Sequence, residues 1–320
     1  MKRIIALAAL ALIAAAGTVS AQTWPTRPVN IMVGFGAGST PDLVSRVIAD
    51  HLQKKLGQPF VVQNRPGAGG NIGLDAVAKA DPDGYTIGTT IPGPLIVNPM
   101  TSKLTYNPKT DILPVTILAT QPSVLVVTSR LAVENLKELV ALLRVNPGRY
   151  NYSSIGVGSI SHLSMELVAL QSNAKLTHIP YKSSPEAMTA VVTGETHMAT
   201  LAPLAVIPQA KAGTVKMLAV STAQRWPTIP DVPTFAEQGI PGVQAEAWMA
   251  MVAPARTPAE IIDTLYREVK AALDSPEVKE QMMKFGFQPV GNTPDEFIKR
   301  IAEEEVRWSK VVDQAGLRAK

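Results

Sequence analysis

Short apolar runs alternate with stretches of helical periodicity in residues 29–90. Apolar runs bounded by glycine or proline are typical of buried strands, and apolar residues three and four positions apart are typical of helices. The pattern predicts three strands, at Val29–Gly34, Pro59–Gln63 and Tyr85–Thr90. Helices are predicted between them, at Asp42–Leu56 and Ile72–Ala80. This order of strands and helices is typical of a parallel, doubly wound sheet.

The same alternation returns after a proline-rich stretch, residues 91–122, which is predicted to be irregular apart from one strand at Val115–Ala119. The later strands are predicted at Ser123–Thr128, Tyr150–Ser154, Leu176–Pro180, Thr196–Thr200, Val215–Ser221 and Ala245–Ala253. The later helices are predicted at Leu136–Asn146, His162–Ser172, Pro185–Thr193, Ile207–Ala212, Pro258–Leu273, Pro276–Phe285 and Asp295–Ala315. In the last helix, the apolar residues expected to pack are Phe297, Ile301, Val306, Val311 and Val312.

This element order predicts an α/β protein of two lobes joined by two crossover segments, with a ligand cleft between the lobes. Residues 22–122 and 245–320 are expected to form the first lobe, and residues 123–244 the second. Without residues 1–21 the chain has 320 − 21 = 299 residues, which exceeds the usual range of a single core and agrees with two lobes. Ligands of such folds bind at the carboxyl ends of strands, in loops that face a crevice.

The first 21 residues have the pattern of a secretory signal peptide. Lys2 and Arg3 precede the apolar run Ile4–Gly17, and Val19–Ala21 fits the small-residue cleavage pattern. Without Lys2 and Arg3 the chain has 28 Lys and Arg residues against 26 Asp and Glu, a net charge of +2. It has no basic run typical of nucleic-acid binders and no cysteine for a disulfide or a lipid anchor. We therefore expect a periplasmic protein, cleaved after about Ala21.

The glycine-rich segment after the first predicted strand is a candidate anion-binding loop. Such a loop leaves backbone N–H groups without an internal partner at the positive end of a helix dipole. Thr40 is expected to cap the helix, and Pro41 suits its first turn, where a missing N–H costs nothing. The residues expected to contact a ligand here are Phe35, Gly36, Ala37, Gly38, Ser39, Thr40 and Asp42.

The second lobe contains a matching element, in which the run Asn151–Ser154 is followed by glycines and hydroxyl residues and then by a predicted helix. If the lobes face each other, two sets of backbone donors converge across one cleft. Such an arrangement suits a carboxylate or dicarboxylate, because hydrogen bonds to a charged acceptor strengthen in a cleft of low dielectric. The residues expected to contact a ligand here are Ser154, Gly156, Val157, Gly158, Ser159, Ser161 and His162.

Several segments resemble the tripartite tricarboxylate transporter substrate-receptor family, also called Bug proteins. They include WPTRPVNIMVGFGAGSTPDLVSR, QPFVVQNRPGAGGNIGLDAVAKADPDGYT, NYSSIGVGSISHLSMEL and PTIPDVPTFAEQGIPG. The resemblance covers residues 24–320 in order. It implies a type II periplasmic-binding-protein fold with two hinged lobes, whose ligand is usually a small carboxylate that is handed to a membrane permease. It also implies that backbone N–H groups of Phe35–Thr40 and Ser154–Ser161 hold the carboxyl group, often through ordered waters.

Three places depart from the family's pattern. Ser39 stands where a second glycine is common, and we expect it to trim the pocket. Gly34 replaces a proline, and we expect it to loosen the end of the strand. His197 and Leu201 stand where many members carry an acidic residue. Because no acidic partner for a ligand ammonium group is then expected, plain carboxylates are favoured over amino acids.

Four features of the sequence have two interpretations. Asp42 either contacts the ligand or pairs with Arg46 and nearby helix N–H groups. The turn Asn64–Asn71 is either a second ligand site or, as we favour, a tight turn that packs a helix against its strand. Trp248 either walls the cleft or belongs to the core. His162 is expected to hydrogen-bond at the helix start rather than to catalyse a reaction.

Other classes of function are weighed against the receptor. The loop lacks the third glycine of a dinucleotide-binding fingerprint, since Ser39 or Pro41 stands in its place. A secreted serine hydrolase using Ser159 or Ser161 is disfavoured because the chain has no G-x-S-x-G motif. The histidines lack metal-ligand spacing, so no metal or other cofactor is expected. We expect a monomeric, non-enzymatic receptor without a nucleic-acid partner. Delivery of the ligand to a signalling kinase, rather than to a permease, remains an alternative.

Overall fold

The computed structural model describes residues 24–319, and the predicted signal peptide at residues 1–21 lies outside them. The strands are β1 (Val29–Val33), β2 (Phe60–Asn64), β3 (Thr86–Thr90), β4 (Ile112–Gln121), β5 (Val124–Thr128), β6 (Asn151–Ser154), β7 (Thr177–Pro180), β8 (Met198–Leu201), β9 (Val215–Val220), β10 (Ala247–Pro254) and β11 (Gln288–Pro289). The helices are α1 (Thr40–Leu56), α2 (Asn71–Ala78), α3 (Asn98–Thr101), α4 (Pro108–Asp111), α5 (Leu136–Val145), α6 (Ile160–Ser172), α7 (Ser184–Thr193), α8 (Pro203–Lys211), α9 (Ala259–Asp274), α10 (Pro276–Lys284) and α11 (Pro294–Gln314). Within residues 24–319, none of these helices combines the length and the apolar character needed to cross a bilayer.

The first sheet has the strand order β11–β4–β10–β3–β1–β2. Strands β2, β1 and β3 are parallel, as the alternation of strands and helices predicted. Strand β10 runs antiparallel to both β3 and β4, so the sheet is mixed rather than wholly parallel. Parallel neighbouring strands are usually joined by a crossover helix. Strand β10 instead enters the first sheet directly from the second sheet, so it need not be parallel to its neighbours.

The second sheet has the strand order β7–β6–β8–β5–β9. Strand β6 is parallel to β7 and β8, as expected for strands joined through helices. Strand β5, which arrives from the first sheet, is antiparallel to β8 and β9. Each sheet therefore has a parallel part built by local alternation and an antiparallel part built by the crossing segments.

The two crossing segments lie side by side. Strand β4 ends at Gln121, which pairs with Ala247 at the start of β10. Ser221 joins the crossings: its hydroxyl accepts the N–H of Ser123 (2.9 Å) and donates to the carbonyl of Ala245 (2.8 Å). Its own N–H donates to the carbonyl of Ser123 (3.0 Å). The base of the cleft is therefore a short, hydrogen-bonded double connection.

Residues 91–122 are more ordered than predicted. Strand β4 extends well beyond the predicted Val115–Ala119, and a helical segment covers Gly93–Val97. Strand β4 pairs along its length with β10, a partner far away in sequence that local composition does not reveal. Helix α8 likewise begins at Pro203, before the predicted start at Ile207, because proline fits the first helical turn.

The last helix, α11, packs through residues at helical spacing. Phe297 and Val311 are buried as predicted, whereas Val306 is 62% exposed. Glu304 and Trp308 are buried instead. Positions 297, 304, 308 and 311 follow the helical period and share one face, while position 306 lies on the opposite face.

Trp248 belongs to the core. Its ring meets that of Phe297 edge-on, with centroids 5.3 Å apart, and its indole N–H donates to the carboxylate of Glu304 (3.0 Å). Successive side chains of a strand point to opposite faces. The neighbours Ala247 and Met249 therefore face the cleft, where both line a cavity, while Trp248 faces away from it.

Candidate functional site

The loop between β1 and α1 is held in shape by Asp42. Its buried carboxylate accepts hydrogen bonds from the N–H of Gly38 (2.9 Å), the guanidinium of Arg46 (2.9 and 3.0 Å) and the amide of Asn64 (2.9 Å). Burial raises the pKa of the Asp42 carboxyl, but the hydrogen bonds from Arg46, Asn64 and Gly38 outweigh burial and lower it. Both carboxylate oxygens are thus engaged within the protein, as the pairing interpretation of Asp42 required.

Ser39, and not Thr40, is the N-cap of α1. Ser39 has extended backbone angles (φ −70°, ψ 159°), and Thr40 is already the first helical residue. The prediction of Thr40 as the cap was wrong because Pro41 occupies the second helical position rather than the first. The Ser39 hydroxyl caps no N–H group, and within residues 24–319 its buried Oγ has no hydrogen-bond partner.

The loop between β6 and α6 repeats the geometry of the first loop. Its cap, Ser159, has φ −68° and ψ 157°, and Gly158 (φ 76°) matches Gly38 (φ 77°). The N–H of Gly158 donates to Nδ1 of His162 (3.1 Å), just as the N–H of Gly38 donates to Asp42. The two loops are therefore equivalent elements that differ in the group holding them, an imidazole in one and a carboxylate in the other.

His162 lies in a buried stack with His178 and Tyr152. The two imidazole centroids are 4.0 Å apart, and the Tyr152 ring stacks on His178 at 5.0 Å. Burial, together with the neighbouring His178, lowers the pKa of His162 to about 3, and burial lowers the pKa of His178 to about 4. His162 is therefore neutral near pH 7, which leaves Nδ1 able to accept the N–H of Gly158.

Four helices begin at one cavity between the two sheets. Its lining includes Thr40 at the start of α1, Ile160 and Ser161 at the start of α6, Ser184 at the start of α7 and Ala202 at the cap of α8. The first N–H groups of a helix have no acceptor within the helix and lie at the positive end of its dipole. The cavity therefore collects four such positive ends.

The rest of the cavity lining carries no formal charge. It consists of Ile91, Pro92, Gln121, Pro122, Ser123, Ile155, Thr200, Leu201, Ala247 and Met249. The cavity volume is about 40 Å³, room for roughly three water molecules. An anion is the charged species that this inner cavity favours, because N–H groups can satisfy it whereas the lining residues offer no carboxylate to a cation.

The two lobes touch at the mouth of the cleft. Gly158 belongs to the loop before α6, and Asn98 lies on the other side of the cleft, after strand β3 of the first sheet. The two are so close that a Cβ atom at position 158 would overlap Oδ1 of Asn98. On the same rim, a Cβ atom at position 69 would come within 3.1 Å of the Val157 carbonyl oxygen. The cleft is therefore closed along this rim.

The glycine-rich turn Asn64–Asn71 packs on the end of β1. Gly34 lies against Gly70, and Gly73 lies against Gly34, so a Cβ atom at position 34 or 73 would overlap backbone. The favoured interpretation, a tight turn that packs a helix on its strand, describes this contact. The expectation that Gly34 loosens the strand end was wrong, since Gly34 permits close packing.

The residues predicted to bind a ligand fall into three groups. Thr40 and Ser161 line the inner cavity. Phe35 and Gly156 line an outer cavity of about 330 Å³ at the mouth of the cleft, together with the glycine-rich turn. The others shape the two loops beside these cavities: Gly36, Ala37, Gly38, Ser39, Asp42, Ser154, Val157, Gly158, Ser159 and His162.

Sequence reasoning missed several side chains at the inner cavity. Ser184 stands just before Pro185, a helix-start signal that was available in the sequence. Thr200 lies on β8, and its hydroxyl donates to the carbonyl of Ser161 (2.8 Å). Gln121 lies at the end of β4, and nothing in the local pattern of residues 91–122 marks it.

The ring nitrogens of His162 have neighbours other than Ser159 or Ser161. Nδ1 accepts the N–H of Gly158, and Nε2 lies 3.9 Å from the carboxylate of Glu166. The two serine hydroxyls are 3.0 Å from each other. In the described part of the chain, no three His, Cys, Asp or Glu side chains are grouped so as to hold a metal ion.

The family model and the similar proteins of known sequence point to the same family. Residues 44–317 match the sequence model of the tripartite tricarboxylate transporter family receptor. Protein BugT of Bordetella pertussis is 38% identical over 307 residues, which cover 95% of this chain and 94% of BugT.

Solved structures agree with this family and confirm the predicted two-lobe α/β fold. Rpa4515 of R. palustris, determined with adipate, is 36% identical and has a TM-score of 0.87, over 92% of this chain and 98% of that one. MatC of Rhodopseudomonas palustris, with bound malate, is 31% identical and has a TM-score of 0.84, over 90% of this chain and 100% of that one. The chain belongs to the tripartite tricarboxylate transporter receptor family.

Proposed function

We propose that this protein is an extracytoplasmic receptor that captures a small carboxylate and delivers it to a tripartite tricarboxylate-type membrane transporter. The observation that carries the proposal is the convergence of four helix N-termini on one inner cavity without a charged side chain. A carboxylate has enough lone pairs to accept hydrogen bonds from several N–H groups at once. In an enclosed site of low dielectric, such charge-assisted bonds are stronger than in water.

The relatives support the same class of ligand. Adipate and malate, the molecules named with two similar structures, are both dicarboxylates. Leu201 is buried in the inner cavity, at a position where the family resemblance implied an acidic residue in many members. A ligand ammonium group would find no carboxylate among the lining residues, which supports plain carboxylates over amino acids.

The two sheets support a cycle in which the lobes open and close. We assign residues 22–122 and 245–320 to one lobe and residues 123–244 to the other, with the paired crossings around Ser221 as the hinge. The ligand enters when the lobes separate and is enclosed when Gly158 meets Asn98. A closed form that only the loaded receptor holds gives the permease a surface to recognise.

We also propose how the protein is exported, that it is a monomer, and that it catalyses no reaction of its ligand. Residues 1–21 direct the chain to the periplasm and are removed after about Ala21, and the mature receptor acts as a monomer. The ligand is bound without being transformed. This part is supported by the hydrogen bonds that tie Ser159, Ser161 and His162 into the second loop.

A thermal-shift screen tests the proposed function. Purified mature protein is heated with a panel of mono- and dicarboxylates, with the corresponding amides, and with sugars. At least one carboxylate is expected to raise the unfolding temperature, because a ligand that binds only the native state stabilises it by mass action. A shift with a sugar or an amide, and with none of the carboxylates, would overturn the assignment.

A further inference from the structure

Gln121 is the buried polar side chain of the inner cavity that the protein itself leaves unsatisfied. It is 4% exposed and lies at the end of β4, where the chain leaves the first sheet. Its Oε1 is shut off from solvent and has no hydrogen-bond partner within residues 24–319. Leaving a buried acceptor unsatisfied is costly, so such a group at a binding cavity points to a donor on the ligand.

Two other hydroxyl groups of the inner cavity have partners within the protein. The hydroxyl of Thr200 donates to the carbonyl of Ser161 (2.8 Å). The hydroxyl of Ser161 accepts the N–H of Ile155 (3.0 Å) and lies 3.0 Å from the hydroxyl of Ser159. Among the lining side chains of residues 24–319, Gln121 is therefore the one with a buried oxygen that lacks a hydrogen-bond partner.

The donor that meets Gln121 has to be neutral. Four helix N-termini surround the cavity with positive potential, and the lining contains no carboxylate, so an ammonium group is disfavoured. A second carboxylate offers acceptors only, so it can pair with the Gln121 NH₂ but leaves Oε1, in the orientation described, without a donor. A hydroxyl donates to Oε1 and also accepts from the amide NH₂, so it satisfies either orientation of the glutamine amide.

We propose that Gln121 selects ligands carrying a hydroxyl group, so that the preferred ligand is a small hydroxycarboxylate. The helix N-termini bind the carboxylate, and the Gln121 amide forms a hydrogen bond with the hydroxyl. This inference rests on the proposed carboxylate receptor and adds the substituent that distinguishes one acid from another. The small inner cavity keeps the two groups of the ligand close together.

Matched pairs of acids that differ by one hydroxyl test the proposal: lactate with propionate, 3-hydroxybutyrate with butyrate, and malate with succinate. Dissociation constants are measured by titration calorimetry for the wild-type protein, for Gln121→Met and for Met249→Leu. Gln121→Met keeps the length of the side chain and removes its hydrogen-bonding groups. Met249→Leu changes another lining side chain at nearly constant volume and serves as the control.

The wild-type protein is expected to bind the hydroxy acid of at least one pair tenfold or more tighter than its partner. Gln121→Met is expected to reduce that preference to within about threefold by weakening the hydroxy acid, and Met249→Leu to retain it. Binding of carboxylates without a hydroxyl preference, or a preference that survives Gln121→Met, overturns the role of Gln121 and leaves the carboxylate receptor standing. Failure of every carboxylate to bind overturns the proposed function itself, and this inference with it.

Discussion

Gly38 and Gly158 occupy equivalent positions in the two loops but have different surroundings. Both have a φ near +77°, a conformation that costs an L-residue about 1–2 kcal/mol. A Cβ atom at position 38 would meet nothing within 4 Å, whereas one at position 158 would overlap Asn98 across the closed cleft. Substituting each glycine therefore distinguishes two effects: backbone strain, which both positions share, and interference with closure of the lobes, which only position 158 has.

Gly158→Ala is expected to weaken ligand binding at least tenfold, because the added methyl group holds the lobes apart. Gly38→Ala is the matched control, with a similar loss of stability of about 1 kcal/mol and a smaller loss of affinity. Calorimetric titration and thermal unfolding of both variants make the comparison. Equal affinities in the two variants would contradict the role assigned to the Gly158–Asn98 contact.

His162 makes stability depend on pH. Because burial lowers its pKa to about 3, the folded protein resists a proton that the unfolded chain takes up below about pH 6.5. The stabilisation is fully present above pH 6.5 and is lost as the pH falls toward 3.

His162→Asn tests this dependence, since Oδ1 of asparagine can accept the Gly158 N–H without titrating. The slope of the unfolding free energy against pH, measured between pH 6 and pH 4.5, is expected to fall by up to about 1.4 kcal/mol per pH unit in the variant. Denaturant titrations at several pH values provide the slopes. A slope identical to that of the wild type would show that His162 titrates normally.

The sequence predicted the two loops because their signals are local. Glycines, small hydroxyl residues and the start of an amphipathic helix stand next to each other in Phe35–Thr40 and again in Ser154–Ser161. Gln121 was missed for the opposite reason. Its neighbours in the cavity come from β8, β10 and the starts of α6 and α7. Because these segments are far from residue 121 in sequence, no local pattern indicates that they lie together.

At the scale of elements, the parallel parts of both sheets were predictable and the antiparallel parts were not. Alternating strands and helices determine β1, β2 and β3 almost by themselves. Half of strand β4 was read as irregular because it contains Pro114 and lies in a proline-rich stretch, and its partner β10 follows only after the whole second sheet. Long-range pairing of this kind depends on tertiary packing rather than local propensity.

Helix α11 is tied to the first sheet by a buried carboxylate. Glu304, 3% exposed, accepts from the indole N–H groups of Trp248 (3.0 Å) and Trp308 (3.3 Å) and from Arg300 (3.0 Å). Arg300 also pairs with Glu246 at the return crossing (3.0 Å). The cluster therefore anchors both α11 and the chain that re-enters the first sheet.

Glu304→Gln is expected to lower the free energy of unfolding by about 3 kcal/mol, because it removes the charge that compensates the half-buried Arg300. Glu303→Gln, on the exposed face of the same helix, is the control and should change stability by less than about 0.5 kcal/mol. Chemical denaturation measures both. Similar stabilities in the two variants would show that the buried cluster contributes little.

At the scale of the whole molecule, the closed cleft and the paired crossings imply hinge motion. The lobes are joined at one end by the hydrogen bonds of Ser221 and meet at the other through Gly158 and Asn98. Small-angle X-ray scattering is expected to show a smaller radius of gyration with a bound carboxylate than without it. Gly158→Ala should retain the larger radius under both conditions, and an unchanged radius in the wild type would argue against closure.

The central claim is that backbone N–H groups at converging helix N-termini bind the carboxylate group of the ligand. The most direct test is titration calorimetry of the wild-type protein with the carboxylate that stabilises it most and with the primary amide of the same acid. The two molecules have nearly the same shape, but only the acid carries a charge that the helix N-termini favour. We predict that the acid binds one molecule per chain and at least tenfold tighter than the amide. Equal affinity for acid and amide would contradict the account.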